Sequence, residues 1–416
     1  MLAPFLAAAL AFQKEPFSFY PELAYDVRVP RPESLLGYQP GERHTTFRDQ
    51  EQVVLAITKS APERTRLVQY GKSVEGRPLR VVVVSSERNI ARLDQIREEH
   101  DKLAHGKGDP TKTVPIIWIN QCIHGDETAS FETAMWTLYN LVAARRGAVA
   151  DALDKAVVIL NPVYNPDGHE RYVVYYNSVA VGSSDPRAYE ATMPSVMRGR
   201  PNHYRFDMNR DRVAFSQDET RAEFAEMLRW GPQVYIDQHG QVDTYFMPPE
   251  PMAINPNADR QRNSKWTEIF GRATAQAFDR KGFSYFTRHR YDFWYPGYVD
   301  ESSALTGAIG MTHETDGGRY LATLRDDGTV LTLRHGMSKH FTSALSVVKT
   351  SADYGKDLLE EYARFKRRNV TGEFAGPMKN VVVTASDPRP LERLKTQLGY
   401  AGIESRVVCG VVRSKK

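Results

Sequence analysis

The chain has 416 residues, of which 25% are charged and 41% hydrophobic, with a formal net charge of +4. That composition excludes fibrous and disordered classes, and the length allows a large core with extra pieces. Charges of both signs are mixed along the chain without a basic stripe, so nucleic acid is not an expected partner.

At the N-terminus, Leu2 to Phe12 form an apolar run too short to cross a bilayer as a helix. Ala9-Leu10-Ala11 has the small-x-small form of a signal-peptidase site, although no Lys or Arg precedes Lys14. Residues 1–11 therefore read as a signal peptide, and the expected location is secreted or periplasmic. No other stretch is apolar enough for a stable membrane span. Residues 12–48, rich in Pro, Glu, Arg and Tyr, show no period and read as a mostly irregular N-terminal extension.

From residue 49 the pattern changes. A helix is expected near 49–60, then a strand, turn and strand over Leu67 to Ser85, with the turn at Glu75-Gly76-Arg77-Pro78. Val114 to Asn120 is a continuous apolar strand. Thr128 to Ala144 has helical spacing, with Phe131, Met135, Leu138, Leu141 and Val142 on one face. Ala156 to Leu160 is a short buried strand, Thr220 to Trp230 a helix, Val234 to Asp237 a strand, Ser264 to Phe278 a helix and Gly307 to Thr312 a strand. Buried strands alternating with helices give an α/β fold: a mixed, largely parallel central sheet flanked by helices. This unit spans 49–345. Residues 346–376 read as a helical linker. Residues 377–416 read as a partial α/β segment, short and βαβ-like, with strands near 379–385 and 403–412 around a helix at 388–398. The two cysteines, Cys122 and Cys409, fall in separate units and form no disulfide framework; Cys122 reads as a buried, inert thiol.

Ligand sites in open α/β sheets lie at the carboxyl ends of strands, and several polar clusters here follow strands directly. His124-Gly125-Asp126-Glu127 places an imidazole and a carboxylate just before a helix, where both can turn toward one ion. Alone, Glu127 reads equally well as an acid favoured by the helix dipole. His239, at the end of QVYID and followed by Gly240, can supply a third ligand or be a structural histidine. Asn209-Arg210, within Asp207-Met208-Asn209-Arg210-Asp211, pairs an amide with a forked donor suited to a carboxylate; a surface ion pair with Asp207 or Asp211 is the plainer reading. Glu314 ends the strand GAIGM and is either a base or a solvent-facing acid. Asn161-Pro162 and Asn165-Pro166-Asp167-Gly168 are turn formers that shape a pocket wall.

The order of these clusters is more informative than any one of them. HxxE, NPDG, D-x-N-R, a strand ending in His and a strand ending in Glu resemble the zinc carboxypeptidase family of carboxypeptidase A. The likeness runs from about Tyr70 to His340, and it makes 49–345 a zinc carboxypeptidase-like catalytic domain. His₂Glu is the ligand set known for that family and comes with the resemblance. The resemblance implies one Zn2+ ion held by His124, Glu127 and His239. It implies that Glu314 activates the zinc-bound water and that Asn209 and Arg210 grip the terminal carboxylate of a peptide substrate. It also implies an oxyanion arginine, Arg200 in preference to Arg198 or Arg205, and a tyrosine closing over the substrate, Tyr291 with Tyr298 as the alternative.

The chain departs from the digestive members at Gly125-Asp126, where they carry Arg, and at Asp211, where they carry Asn. Asp126 is read as orienting a ligand imidazole or as structural. Val299, in the segment resembling the specificity pocket, suits an apolar or aromatic terminal side chain. Two rival functions remain on the sequence alone. One is a zinc amidase or deacylase acting on N-acyl amino acids or cell-wall peptides. The other is a non-catalytic peptide-binding module, which would be expected to have lost a ligand or Glu314.

Overall fold

A computed structural model describes residues 17–242, 244–249, 254–288, 293–373 and 381–408. The expected signal peptide, Tyr291 and Cys409 lie outside the described residues. Eight strands form the main sheet: β1 Thr65–Lys72, β2 Pro78–Val84, β3 Ile116–Gln121, β4 Val157–Asn161, β5 Val234–Val242, β6 Tyr245–Phe246, β7 Tyr285–Phe286 and β8 Ile309–Asp316. Their spatial order is β1-β2-β4-β3-β5-β8-β6-β7. The central strands β4, β3, β5 and β8 run parallel, while β1 and β2 add an antiparallel edge. This is the mixed, largely parallel α/β sheet expected.

Period-two alternation distributes the side chains between two cores. Ile117, Ile119, Val158, Leu160, Val234, Ile236, Ile309 and Met311 enter one core. It is covered by helices α1 Phe47–Ser60, α2 Thr128–Ala143 and α7 Leu333–Asp353. Ile116, Trp118, Val157, Ile159 and Tyr235 enter the other. That face is covered by Leu93–Ala104, by α4 Asp218–Trp230 and by α6 Val299–Leu305. Burial on both faces explains why β3 reads as an unbroken apolar run. The remaining helices used below are α3 Pro166–Val179, α5 Arg260–Asp279, α8 Gly355–Thr371 and α9 Pro388–Tyr400.

Several elements differ from the sequence expectation. α3, Glu87–Ala91 and Leu93–Ala104 were not foreseen, and the stretch 346–376 read as a helical linker holds the end of α7 and all of α8. In the C-terminal segment α9 forms, but, among the described residues, 381–385 and 403–408 pair with no strand. Val381, Val382, Val383 and Ile403 there are more than half exposed. A strand needs an edge to bond to, and a valine run cannot supply one by itself. Among the described residues, no helix is long and apolar enough to cross a membrane.

Candidate metal centre and active site

The site forms where β3, β5 and β8 end. After Gln121 the chain turns at Cys122, whose φ of +58° is uncommon for a side-chain-bearing residue. Cys122 is buried and unpaired, its amide donating to Ser130 Oγ at 3.1 Å. This turn swings His124 off the strand, and Glu127 becomes the N-cap of α2, where the helix dipole favours a carboxylate.

Three glycines let the neighbouring loops close on this segment. A Cβ on Gly125 would meet the His169 nitrogen at 2.1 Å, and one on Gly199 would meet Gly168 O at 2.6 Å. The glycine at position 125 thus has a steric basis in this chain. Asn165 ties the junction by donating to Ile123 O (3.2 Å) and Arg200 O (3.1 Å). Asp167 accepts from Ser73 Oγ (2.6 Å) and pairs with Arg77 (2.7 Å), fastening the 71–78 turn to the NPDG turn.

His124, Glu127 and His239 are all buried, and their ligand atoms lie within 4.8 Å of one another. His124 Nδ1 is 2.9 Å from Glu127 Oε1, His239 Nδ1 is 2.9 Å from Glu127 Oε2, and the two Nδ1 atoms are 3.2 Å apart. The far nitrogens are already engaged: His124 Nε2 lies 3.0 Å from Asp207 Oδ1 and His239 Nε2 lies 2.5 Å from Asp237 Oδ2. A carboxylate only accepts, so each Nε2 carries a proton toward its aspartate, and each Nδ1, facing Glu127, is the nitrogen left to meet a metal. Two imidazole nitrogens and a carboxylate converge there, and a cation taking the place of the Nδ1 protons would be held by all three. Tetrahedral zinc with Zn–N near 2.0–2.1 Å places its nitrogens roughly 3.3 Å apart, so the donor set fits that ion.

The electrostatics agree. Burial opposes the imidazolium of His124, but Glu127 and Asp207 outweigh it and raise the pKa. His239 is held well above its ordinary value against burial by Asp237 and Glu127. Burial opposes ionisation of Glu127, yet the two histidines carry it well below the carboxylate range. Arg200 is the cation these donors have drawn: its Nη1 is 3.2 Å from both His124 Nδ1 and Glu127 Oε1, and Asp207 holds the same guanidinium at 2.9 Å. Arg205 instead donates to Val196 O, and Arg198 is exposed on the surface.

Glu314 is the register partner of His239 on the adjoining parallel strand, so both side chains leave the same face of the sheet. Asn209 is buried, with Oδ1 accepting from the Val299 amide at 2.9 Å. Its Nδ2 lies 3.3 Å from His239 Nε2. That ring nitrogen is protonated toward Asp237, so the contact leaves the amide protons of Asn209 available to another acceptor. Arg210 is exposed and lies over the Tyr298 ring at 4.4 Å.

One expectation changes, and Asp126 takes the second of its two readings, the structural one. Val299 is wholly buried in the second core and so does not line a specificity pocket. Asp126 pairs with Arg319 at 3.2 Å, while the imidazoles are oriented by Asp207 and Asp237. Asp211 accepts from the amides of Ser216 and Gln217, shaping its own loop. Asp207 and Asp237 are the residues that sequence reasoning missed. The available signal was position: Asp237 lies two residues before His239 and therefore on the same strand face.

Comparison with known proteins follows the same outline. The zinc carboxypeptidase family profile matches residues 51–303, which include His124, Glu127 and His239 but not Glu314. Carboxypeptidase A4 of Mus musculus is 31% identical over 116 residues, covering 27% of this chain and 22% of that protein. Carboxypeptidase 2 of Trichophyton tonsurans is 28% identical over 123 residues, covering 30% and 18%. The alignments thus span about a fifth of the length of these relatives. Thrombin activatable fibrinolysis inhibitor superposes with a TM-score of 0.53 at 16% identity, over 78% of this chain and 81% of that one. A metallo-carboxypeptidase from Burkholderia cenocepacia gives 0.51 at 14% identity, over 75% and 70%. At these identities the structural likeness is one of fold.

Proposed function

The chain belongs to the zinc carboxypeptidase family, and from that premise we propose that it is a zinc-dependent exopeptidase hydrolysing the C-terminal peptide bond of peptides. The observation that carries this reading is the convergence of His124, Glu127 and His239 beside Glu314 at adjoining strand ends. These three residues would hold a single zinc ion. When bound, the ion supplies Lewis acidity and lowers the pKa of water to about 7.

The chain's own groups do the rest. Glu314 accepts the proton of the attacking water and passes it to the leaving amine nitrogen. Arg200 gives up its contact with His124 and donates to the developing oxyanion, where one such donor is worth about 3 kcal/mol. Arg210 and the free amide protons of Asn209 grip the terminal carboxylate, which confines attack to the last peptide bond. Tyr291 is the proposed closing residue from its spacing; Tyr298, stacked on Arg210, is the alternative. The apolar N-terminal run supports export, and a secreted or periplasmic peptidase is the corresponding proposal.

The test is release of terminal amino acids from a mixed peptide panel, with and without a zinc chelator. Chelator-sensitive release of single C-terminal residues is expected. Glu314→Gln should keep its metal and lose turnover by about 10³-fold; normal turnover in that variant rejects the assignment. Cleavage of N-acyl amino acids without release of C-terminal residues would instead favour an amidase.

A further inference from the structure

Behind the metal centre a row of buried polar side chains crosses the sheet on the face that carries His239. Asn161, Asn120 and Asp237 are register partners on β4, β3 and β5, and all are fully buried. Asn161 Nδ2 donates to Asn120 Oδ1 at 2.9 Å, and Asn120 Nδ2 donates to Asp237 Oδ1 at 2.7 Å. The second oxygen, Asp237 Oδ2, meets His239 Nε2 at 2.5 Å.

The direction of these bonds is not arbitrary. A carboxylate has no proton to give, so Asn120 must turn its NH₂ toward Asp237 and its carbonyl toward Asn161. Asn161 must then donate in its turn. With one oxygen saturated from the sheet, Asp237 is held rigidly and presents the other to His239. We infer that Asp237 is a positioning residue for the metal site, and that Asn120 acts through it to fix the His239 ring with Nε2 bonded to Asp237 and Nδ1 turned toward the place of the metal. This inference rests on the metal site proposed above.

The two histidine ligands are thereby held by different devices. His124 leans on Asp207, which stands on the partly exposed loop that also carries Asn209 and Arg210. His239 is braced from inside the sheet, by residues that three parallel strands keep in register. Such outer partners commonly change metal affinity by 10–100-fold. A merely structural row would affect folding alone.

The experiment titrates zinc into metal-free protein against a competing chelator, with no substrate present, and records the cobalt(II) absorption spectrum of the same proteins. Asp237→Asn and Asp237→Ala are expected to weaken zinc binding by about 10–100-fold and to alter the cobalt bands. Asn120→Ala, which leaves the carboxylate in place but unbraced, should weaken it by a smaller factor. Should the Asp237 variants fail to fold, Asn120→Ala carries the test. Zinc affinity and cobalt bands unchanged in the folded variants, with only the metal-free Tm lowered, would overturn the inference. Failure of the unaltered protein to bind zinc would instead overturn the metal site itself.

Discussion

Residues 17–48 and residues 381–408 make opposite use of their apolar side chains. The first stretch has no period, only one short helix and a two-residue strand. Yet Phe19 and Val29 are buried in the main core, and Phe19 packs against Trp136 and Phe341. Its polar groups are equally engaged: Thr45 donates from N (2.5 Å) and Oγ1 (2.6 Å) to the buried Glu132, and Asn140 donates to Phe19 O at 2.8 Å. His169 then lies between Thr45 O and Gly125 O, 2.9 Å from each, which joins this stretch to the turn between the metal ligands. The C-terminal stretch has the more regular pattern, but no residue of α9 is buried. It touches the main body chiefly through Gln397 Nε2, which donates to Val213 O at 2.5 Å, and through Tyr400 beside Phe215 and Arg221. Periodicity tells which residues share a face; burial depends on whether another surface is there to cover that face.

The contrast breaks most directly by deletion. Removing residues 17–46 should abolish folding, read as loss of a cooperative thermal transition, because it uncovers Trp136 and orphans Glu132. Ending the chain after residue 373 should leave zinc affinity within about twofold and Tm within a few degrees, since little buried area is lost. Similar losses from both deletions would erase the distinction.

Single substitutions sharpen it. Phe19→Ala should cost about 3–4 kcal/mol by urea denaturation, the usual range for emptying a buried aromatic site. Val382→Ala should stay within about 0.5 kcal/mol, as an exposed substitution does. His169→Ala, which removes the single N–H that a neutral imidazole offers to the two buried carbonyls, should cost about 1–3 kcal/mol and weaken zinc binding as well. A fall in stability with zinc affinity intact would confine the N-terminal stretch to a structural role.

A pH series isolates Glu132. Burial pushes its carboxyl up to about 8, against the opposing bonds from Thr45, so the folded state holds a proton that the unfolded chain releases near pH 4.5. Its contribution is full below pH 4.5 and lost as pH rises through about 8. Once protonated, the acid O–H donates back to the Thr45 hydroxyl oxygen, and Glu132→Gln keeps that donor and an acceptor for the Thr45 amide without titrating. The variant should therefore lose less Tm than the parent between pH 5 and 9; an equal loss would mean that Glu132 is not the group responsible. In the C-terminal stretch, Tyr400→Ala should likewise change stability by about 1 kcal/mol or less, its ring and cation contacts being at the surface.

Much of the site was legible in the chain because it is local. His124 and Glu127 share one turn, and Asn209 and Arg210 are adjacent. His239 and Glu314 are each marked by the apolar strand they terminate. The helix α2 and the strands β3, β4, β5 and β8 were legible from period and from two-sided burial. What stayed hidden was pairing across distance. That Asp207 would reach His124, or that Asn120 and Asn161 would line up with Asp237, depends on strand order, and a strand carries no mark of its neighbour. Arg319 meeting Asp126 is of the same kind. Helix α3 escaped because Pro166-Asp167-Gly168 reads as a turn, although Pro in the first turn with Asn165 as N-cap is also a helix start.

By itself, then, the sequence determined the α/β class, the family and three candidate metal-binding residues. The class follows from apolar periodicity, and the family and the candidate residues follow from the order of short motifs, which resembles that of the zinc carboxypeptidases. Tertiary structure decided which carboxylate braces which imidazole, that Val299 is core and not pocket, and that an aperiodic N-terminus is integral while a periodic C-terminus is not. Those outcomes depend on register and on complementary surfaces, and both exist only once segments far apart in the chain have come together.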